Sequence, residues 1–194
     1  MKVINTKLDG VKIIEPRVFL DDRGFFMESF NRKSFKDYGV DIDFKQDNHS
    51  LSKDKGVIRG LHYQMAPAAQ TKLVRVITGA IYDVAVDIRQ GSPTFGQWVC
   101  ATLSDQNHHM LLIPKGFAHG FCTLVPNTHV QYKVDAYYAP EYDRGVRWDD
   151  PEVGIDWPTN KPILSDKDAK QPLLNEADND FQFEETSYTG EVIK

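Results

Sequence analysis

The run Arg59-Gly60-Leu61-His62-Tyr63-Gln64, followed ten residues after its histidine by Lys72, brings an imidazole and a lone ammonium to strand-like segments that can line one pocket. A base that removes a proton next to a ketone generates an enolate. A fixed cation that meets the developing oxyanion lowers the barrier without any cofactor. Tyr132 stands in the alternating row Val130, Tyr132, Val134, and opposite a histidine base its phenol is a competent acid. Each group has a plainer reading when taken singly: a strand histidine satisfied inside a core, and a packed tyrosine ring with a satisfied tip. Two carboxylates compete to orient His62. Asp83, which with Asp87 interrupts an apolar strand, needs a donor if it points inward, and Asp168 reaches over from the C-terminal part. By spacing alone Asp168 reads equally well as a surface acid at a helix N-terminus.

Strands must position these groups. Alternating and β-branched runs recur at 11–18, 25–30, 44–51, 57–63, 73–78, 80–88, 98–103, 110–113, 120–124 and 130–138. Turn chemistry such as Asp21-Asp22-Arg23-Gly24, Lys53-Asp54-Lys55-Gly56 and Gly91-Ser92-Pro93 separates them. A helix is predicted over 33–38, closed by Gly39, and a second near 165–170. So many short strands must bury their apolar faces against one another, which leaves an all-β double-sheet jelly roll, with a barrel as the other solution. Short accessory helices and an irregular C-terminal segment complete the expectation. Alternation puts Ile58, Gly60, His62 and Gln64 on one face, and Lys72, Val74 and Val76 on one face of another strand. Arg59 then falls opposite His62, unless Gly60 permits a bulge.

With 194 residues, 41% hydrophobic and 26% charged, the chain reads as one large soluble domain over 1–174 with an acidic tail over 175–194. Between Asn175 and Ile193 six acids and no Lys or Arg suggest a solvated tail. A formal charge of -5 disfavours a nucleic-acid surface but leaves small anionic ligands open. No apolar run approaches a membrane span and the N-terminus has no signal pattern, so a cytoplasmic protein is expected. Cys100 and Cys122 lie in apolar runs and read as reduced core thiols.

Pro114-Lys115-Gly116-Phe117-Ala118-His119-Gly120 has the P-x-G-x-x-H spacing that resembles the second motif of the cupin superfamily. Metal-binding cupins usually add two histidines one residue apart and a nearby glutamate. This chain has His62-Tyr63-Gln64 and then Lys72, whose ammonium would repel a cation, so a metal-free pocket is expected. Those segments, together with Asp22-Arg23-Gly24-Phe25-Phe26-Met27-Glu28, Gln46-Asp47-Asn48-His49-Ser50 and Tyr142-Asp143-Arg144-Gly145-Val146-Arg147-Trp148, resemble the dTDP-4-dehydrorhamnose 3,5-epimerase family over residues 11 to 168.

The resemblance implies a cupin-type jelly roll, working as a homodimer without metal or organic cofactor on a dTDP-4-keto-6-deoxy sugar. It implies inversion of carbons 3 and 5 of dTDP-4-dehydro-6-deoxy-D-glucose in dTDP-L-rhamnose synthesis. On this analogy His62 is the base, Asp168 holds its tautomer, Lys72 faces the enolate oxygen and Tyr132 returns the proton from the other side of the ring. Substrate-binding positions fall on Arg23, Glu28, Gln46, Asn48, Arg59, His119, Tyr138, Asp143 and Lys167, with Arg23 and Arg59 suited to the diphosphate. Many relatives carry glutamate where this chain has the shorter Asp143, so a direct contact there is expected to be lost or bridged by water. The loop at 64–70 also departs from the commoner pattern, with local consequences expected. The rival readings are an epimerase of one carbon only, a metal-dependent cupin such as a dioxygenase, and a non-catalytic sugar-binding jelly roll.

Overall fold

The computed structural model describes residues 1–184. In chain order its strands are β1 (Lys2–Asn5), β2 (Lys12–Glu15), β3 (Val18–Asp21), β4 (Gly24–Met27), β5 (Gln46–Ser52), β6 (Ile58–Gln64), β7 (Lys72–Thr78), β8 (Ala80–Asp87), β9 (Trp98–Ser104), β10 (Met110–Ile113), β11 (Phe117–Thr123), β12 (Thr128–Val134) and β13 (Asp143–Gly145). One α-helix, α1 (Arg32–Asp37), is capped by the Asn31 side chain, which accepts from the Ser34 amide. Where a second helix is expected there is only a 3₁₀ turn, Asp168–Lys170.

The strands form two antiparallel sheets, β1-β2-β10-β7-β12-β5 and β13-β6-β11-β8-β9, with β3 and β4 as a separate hairpin. This is the expected double-sheet jelly roll. Alternation decides what each sheet buries. Val74, Val76 and Val130 of the first sheet meet Ile81, Ala85, Phe117 and Phe121 of the second in the space between them. The second sheet is covered on its outer face as well, where Ile58, Leu61, Val84, Val86 and Cys122 lie beneath Val146, Val153, Trp157 and Leu174 of the C-terminal part. Burial on both faces is why β8 reads as a nearly unbroken apolar run. Phe35 of α1 closes a third cluster with Ile14, Leu73 and Met110.

Three sequence expectations change here. Residues 175–184 are not a solvated tail. Phe181 packs edge-on against Tyr63, Phe183 stacks on the Arg89 guanidinium, and the Tyr63 hydroxyl donates to the Asp178 carbonyl. Two aromatic anchors hold a stretch whose acids point away from the core; residues 185–194 lie outside the described part. Cys100 is exposed, because alternate residues of the edge strand β9 face outward, whereas Cys122 is buried as expected. β1 and β13 were not marked by any strand-like run. Among the described residues no helix is long and apolar enough to cross a membrane.

Candidate active site

The site depends on one irregularity in β6. His119 of β11 pairs with His62, and Phe121 pairs with Arg59, so two steps along β11 face three along β6. The extra residue is a bulge at Gly60, whose φ is +131°. A Cβ there would lie 2.5 Å from the Gly120 Cα, so the two backbones can approach only without side chains. The bulge turns Arg59 to the same side as His62, as the site requires. It also moves Ile58 to the opposite face, among the outer apolar cluster, so the expected sharing of a face between Ile58 and His62 does not hold.

Two adjoining cavities of about 210 and 220 Å³ share His62, Lys72, Tyr132 and Lys167. His62 Nε2 is 2.5 Å from Asp168 Oδ1, which leaves the free lone pair of a neutral imidazole on Nδ1. Asp168 is 4% exposed, and Ser165 Oγ accepts from its amide. Burial pushes its pKa up, but the hydrogen bond and charge of His62 outweigh this and hold the carboxyl below its usual range. Asp168, not Asp83, is therefore the carboxylate that His62 touches. Asp83 Oδ1 lies 2.7 Å from His119 Nε2 instead, because it sits one strand further from β6.

Lys72 enters from the other sheet, and its Nζ donates to the His62 carbonyl at 3.1 Å. Burial lowers its pKa to about 8, with Asp143 and Asp83 opposing the drop. Its ammonium is thus present at neutral pH yet poorly solvated, which suits it to a developing oxyanion. Burial raises the Tyr132 phenol, which keeps its proton for donation despite the pull of Arg59. Among the described residues no group of three or more His, Cys, Asp or Glu is gathered to hold a metal ion.

Of the expected binding residues, Gln46, Asn48, Tyr138, Asp143 and Lys167 line the first cavity, while Arg59 and His119 line the second. Asp143 is tied to the Lys167 ammonium and accepts from the Tyr138 hydroxyl at 3.2 Å, so its shorter side chain still reaches two partners at the cavity mouth. The loop at 64–70 is held locally, with Gln64 Nε2 donating to the Ala68 carbonyl. Arg23 and Glu28 are not brought to the site. Arg23 tips the β3–β4 hairpin with a side chain 90% exposed and pairs with Asp21, and Glu28 accepts from Asn31 beside a separate hollow of about 450 Å³. That larger hollow gathers no imidazole, so the chemistry lies in the smaller pair of cavities. The sequence reading missed Ser50, Phe121 and Ser165 as lining residues. Ser165 had a signal in Ser-x-x-Asp, whose hydroxyl accepts from the Asp168 amide; the other two gave none.

A sequence profile described as dTDP-4-dehydrorhamnose 3,5-epimerase matches residues 5–176. The chain is 52% identical over 179 residues to a protein of that name from Shigella flexneri, spanning 92% of this chain and 98% of that one. Among solved structures, it resembles the dTDP-4-dehydrorhamnose 3,5-epimerase of Bacillus anthracis with TDP and PPi bound (59% identity, TM-score 0.87, covering 89% of this chain and 98% of that one). It also resembles the Legionella pneumophila dTDP-6-deoxy-D-glucose-3,5-epimerase in complex with dTDP-4-keto-L-rhamnose (48% identity, TM-score 0.90, covering 94% and 98%).

Proposed function

This chain belongs to the dTDP-4-dehydrorhamnose 3,5-epimerase family, and from that premise we propose how its own residues carry out the reaction. It inverts carbons 3 and 5 of dTDP-4-dehydro-6-deoxy-D-glucose to give dTDP-4-dehydro-L-rhamnose, in dTDP-L-rhamnose synthesis. The observation that carries the mechanism is the gathering of the His62–Asp168 pair, Lys72 and Tyr132 around one cavity. The ketone at carbon 4 acidifies the protons on both neighbours, so one base and one oxyanion partner serve two successive inversions. His62 Nδ1 takes one proton at a time, Asp168 stabilises the imidazolium that results, and between the two inversions His62 gives its proton to solvent while Tyr132 regains one from it. Lys72 meets the enolate oxygen, and Tyr132 delivers a proton to the opposite face of the ring. Arg59 and Lys167 take diphosphate oxygens, and Tyr138 with Gln46 and Asn48 lies where the nucleoside would enter. A cytoplasmic setting accompanies a substrate of this kind.

Heavy water tests this reading. With the keto sugar in deuterium oxide, carbons 3 and 5 both acquire label; label confined to one carbon makes the protein a single-site epimerase. Tyr132→Phe should slow net epimerisation by about 10²-fold while His62 still exchanges protons on its own face. Equal loss of exchange and of epimerisation would remove Tyr132 as the acid.

A homodimer accounts for Arg23 and Glu28. The β3–β4 hairpin exposes Phe19, Leu20, Phe25 and Phe26, and β5, which brings Gln46 and Asn48 to the cavity, has an unpaired edge. Laying one chain's hairpin along the other's β5 covers those rings and carries Arg23 and Glu28 to a pocket mouth. Analytical ultracentrifugation should give the mass of two chains, and Phe26→Asp should shift it toward one chain with activity lost. A fully active single chain would defeat the arrangement.

A further inference from the structure

Asp83 is a fully buried carboxylate that the reaction above does not use. Its Oδ1 meets His119 Nε2 at 2.7 Å, and its Oδ2 has no partner among the described residues. The register explains the meeting: Asp83 stands opposite Phe121 and His119 opposite Ala85 on the paired strands β8 and β11, so the two side chains touch diagonally on the inner face. On its other flank His119 pairs with His62. Its Nδ1 has no partner among the described residues and, unlike Asp83 Oδ2, is not sealed from the cavity that the ring lines with His62, Lys72 and Tyr132.

We infer that Asp83 is a positioning residue: it fixes the proton of a neutral His119 on Nε2, so that Nδ1 meets the substrate as an acceptor for a sugar hydroxyl, and its charge supports the Lys72 ammonium. The inference deepens the keto-sugar reading of this pocket and rests on it. A carboxylate only accepts, so the imidazole nitrogen facing it carries the hydrogen. Burial pushes Asp83 up and His119 down, which disfavours an imidazolium, while His119 and Lys72 both draw Asp83 back toward its ionised form. With Nδ1 bare, His119 cannot donate to a diphosphate oxygen, which is itself only an acceptor. A hydroxyl can donate, and that is the group His119 selects.

The charged and titratable groups that share the cavity with His119 are Arg59 and His62 from β6, Lys72 from β7, Tyr132 from β12, and Lys167 and Asp168 from the C-terminal part, while Asp143 from β13 lines the adjoining cavity with Lys72. Asp143 and Asp83 help to keep Lys72 protonated against its burial, beside the His62 carbonyl that accepts from it. Removing the charge of Asp83 therefore alters two neighbours: the tautomer of His119 and the proton affinity of Lys72.

Nitrogen-15 NMR of the full chain labelled in histidine reads the tautomer directly, with the His119 signals assigned by their loss in His119→Gln. The expected result near neutral pH is a protonated Nε2 and a bare Nδ1. In Asp83→Asn, whose amide can donate as well as accept, the population shifts toward a proton on Nδ1. The alkaline limb of kcat/KM set by Lys72 moves down by about one pH unit, and kcat/KM near neutral pH falls about tenfold. A proton on Nδ1, or an imidazolium, in the unsubstituted protein overturns the inference even if Asp83→Asn does not fold. A folded Asp83→Asn with tautomer and limb both unchanged overturns it as well. The NMR result needs no turnover, so a failure of epimerisation in heavy water would defeat the proposed reaction and leave this assignment standing.

Discussion

Substituting His62 by alanine should lower kcat by about 10³–10⁴-fold, the upper part of what a positioned base contributes, while dTDP still binds. Among the described residues His62 is the imidazole hydrogen-bonded to Asp168, whereas His119 in the same cavity is bonded to Asp83. In heavy water the variant should exchange neither carbon 3 nor carbon 5. The substitution also acts on Asp168, whose carboxyl is held down by His62 against its own burial. Its folded pKa lies below the unfolded one, so the pair contributes stability above the unfolded value and loses it as pH falls through the folded value. Without His62 that contribution goes, and the melting temperature of the variant should fall most at neutral pH. Isothermal titration with dTDP, exchange by NMR and thermal melts check the three statements, and unchanged turnover would remove His62 as the base.

Lys72→Met should cost about 10²–10³-fold in kcat, as for loss of a single oxyanion partner. In the unsubstituted protein the ammonium titrates at about 8, so kcat/KM should decline above that pH. A bound diphosphate raises the ammonium's proton affinity, so the corresponding limb of kcat should lie higher. Both limbs disappear in the methionine variant. Stability moves the other way. Lys72 has a folded pKa below its unfolded value, so its burial as a cation is unfavourable below about pH 8 and is relieved as pH rises from there toward the ordinary lysine value of 10.5. Methionine removes that burden, and the variant should gain up to about 3 kcal/mol at neutral pH, less the hydrogen bond to the His62 carbonyl. A slower but more heat-resistant protein is the expected outcome. If Lys72→Met keeps normal turnover, the oxyanion role is wrong.

Much of the architecture is legible in the chain because alternation and turn residues mark strands directly. β8, β10 and β12 start or end within a few residues of their expected bounds. The order of strands in each sheet is not legible, since it depends on long-range pairings such as β10 with β2 and β7. β13 escapes because Asp143, Arg144 and Gly145 have low strand propensity and pair only through the backbone of β6. At the site, His62, Lys72 and Tyr132 carry a chemical signature that residue type and spacing reveal. The choice between Asp83 and Asp168 does not, because either lies on a segment that can approach an imidazole; only the position of β8 beside β11 decides it. Arg59 was recoverable as a conditional, since Gly60 offered the bulge that turns it inward. Residues 176–184 misled because four acids outnumber the two aromatics that do the docking.

His62 and the Asp168 carboxylate that it touches are 106 residues apart in sequence. During synthesis the imidazole leaves the ribosome long before the aspartate that gives it direction, and the intervening strands must all be made first. An unfinished or clipped product therefore holds a histidine whose ring no carboxylate orients. Reactive keto sugars in the surrounding fluid meet a working proton-abstracting centre only once nearly the whole polypeptide has been translated and wrapped.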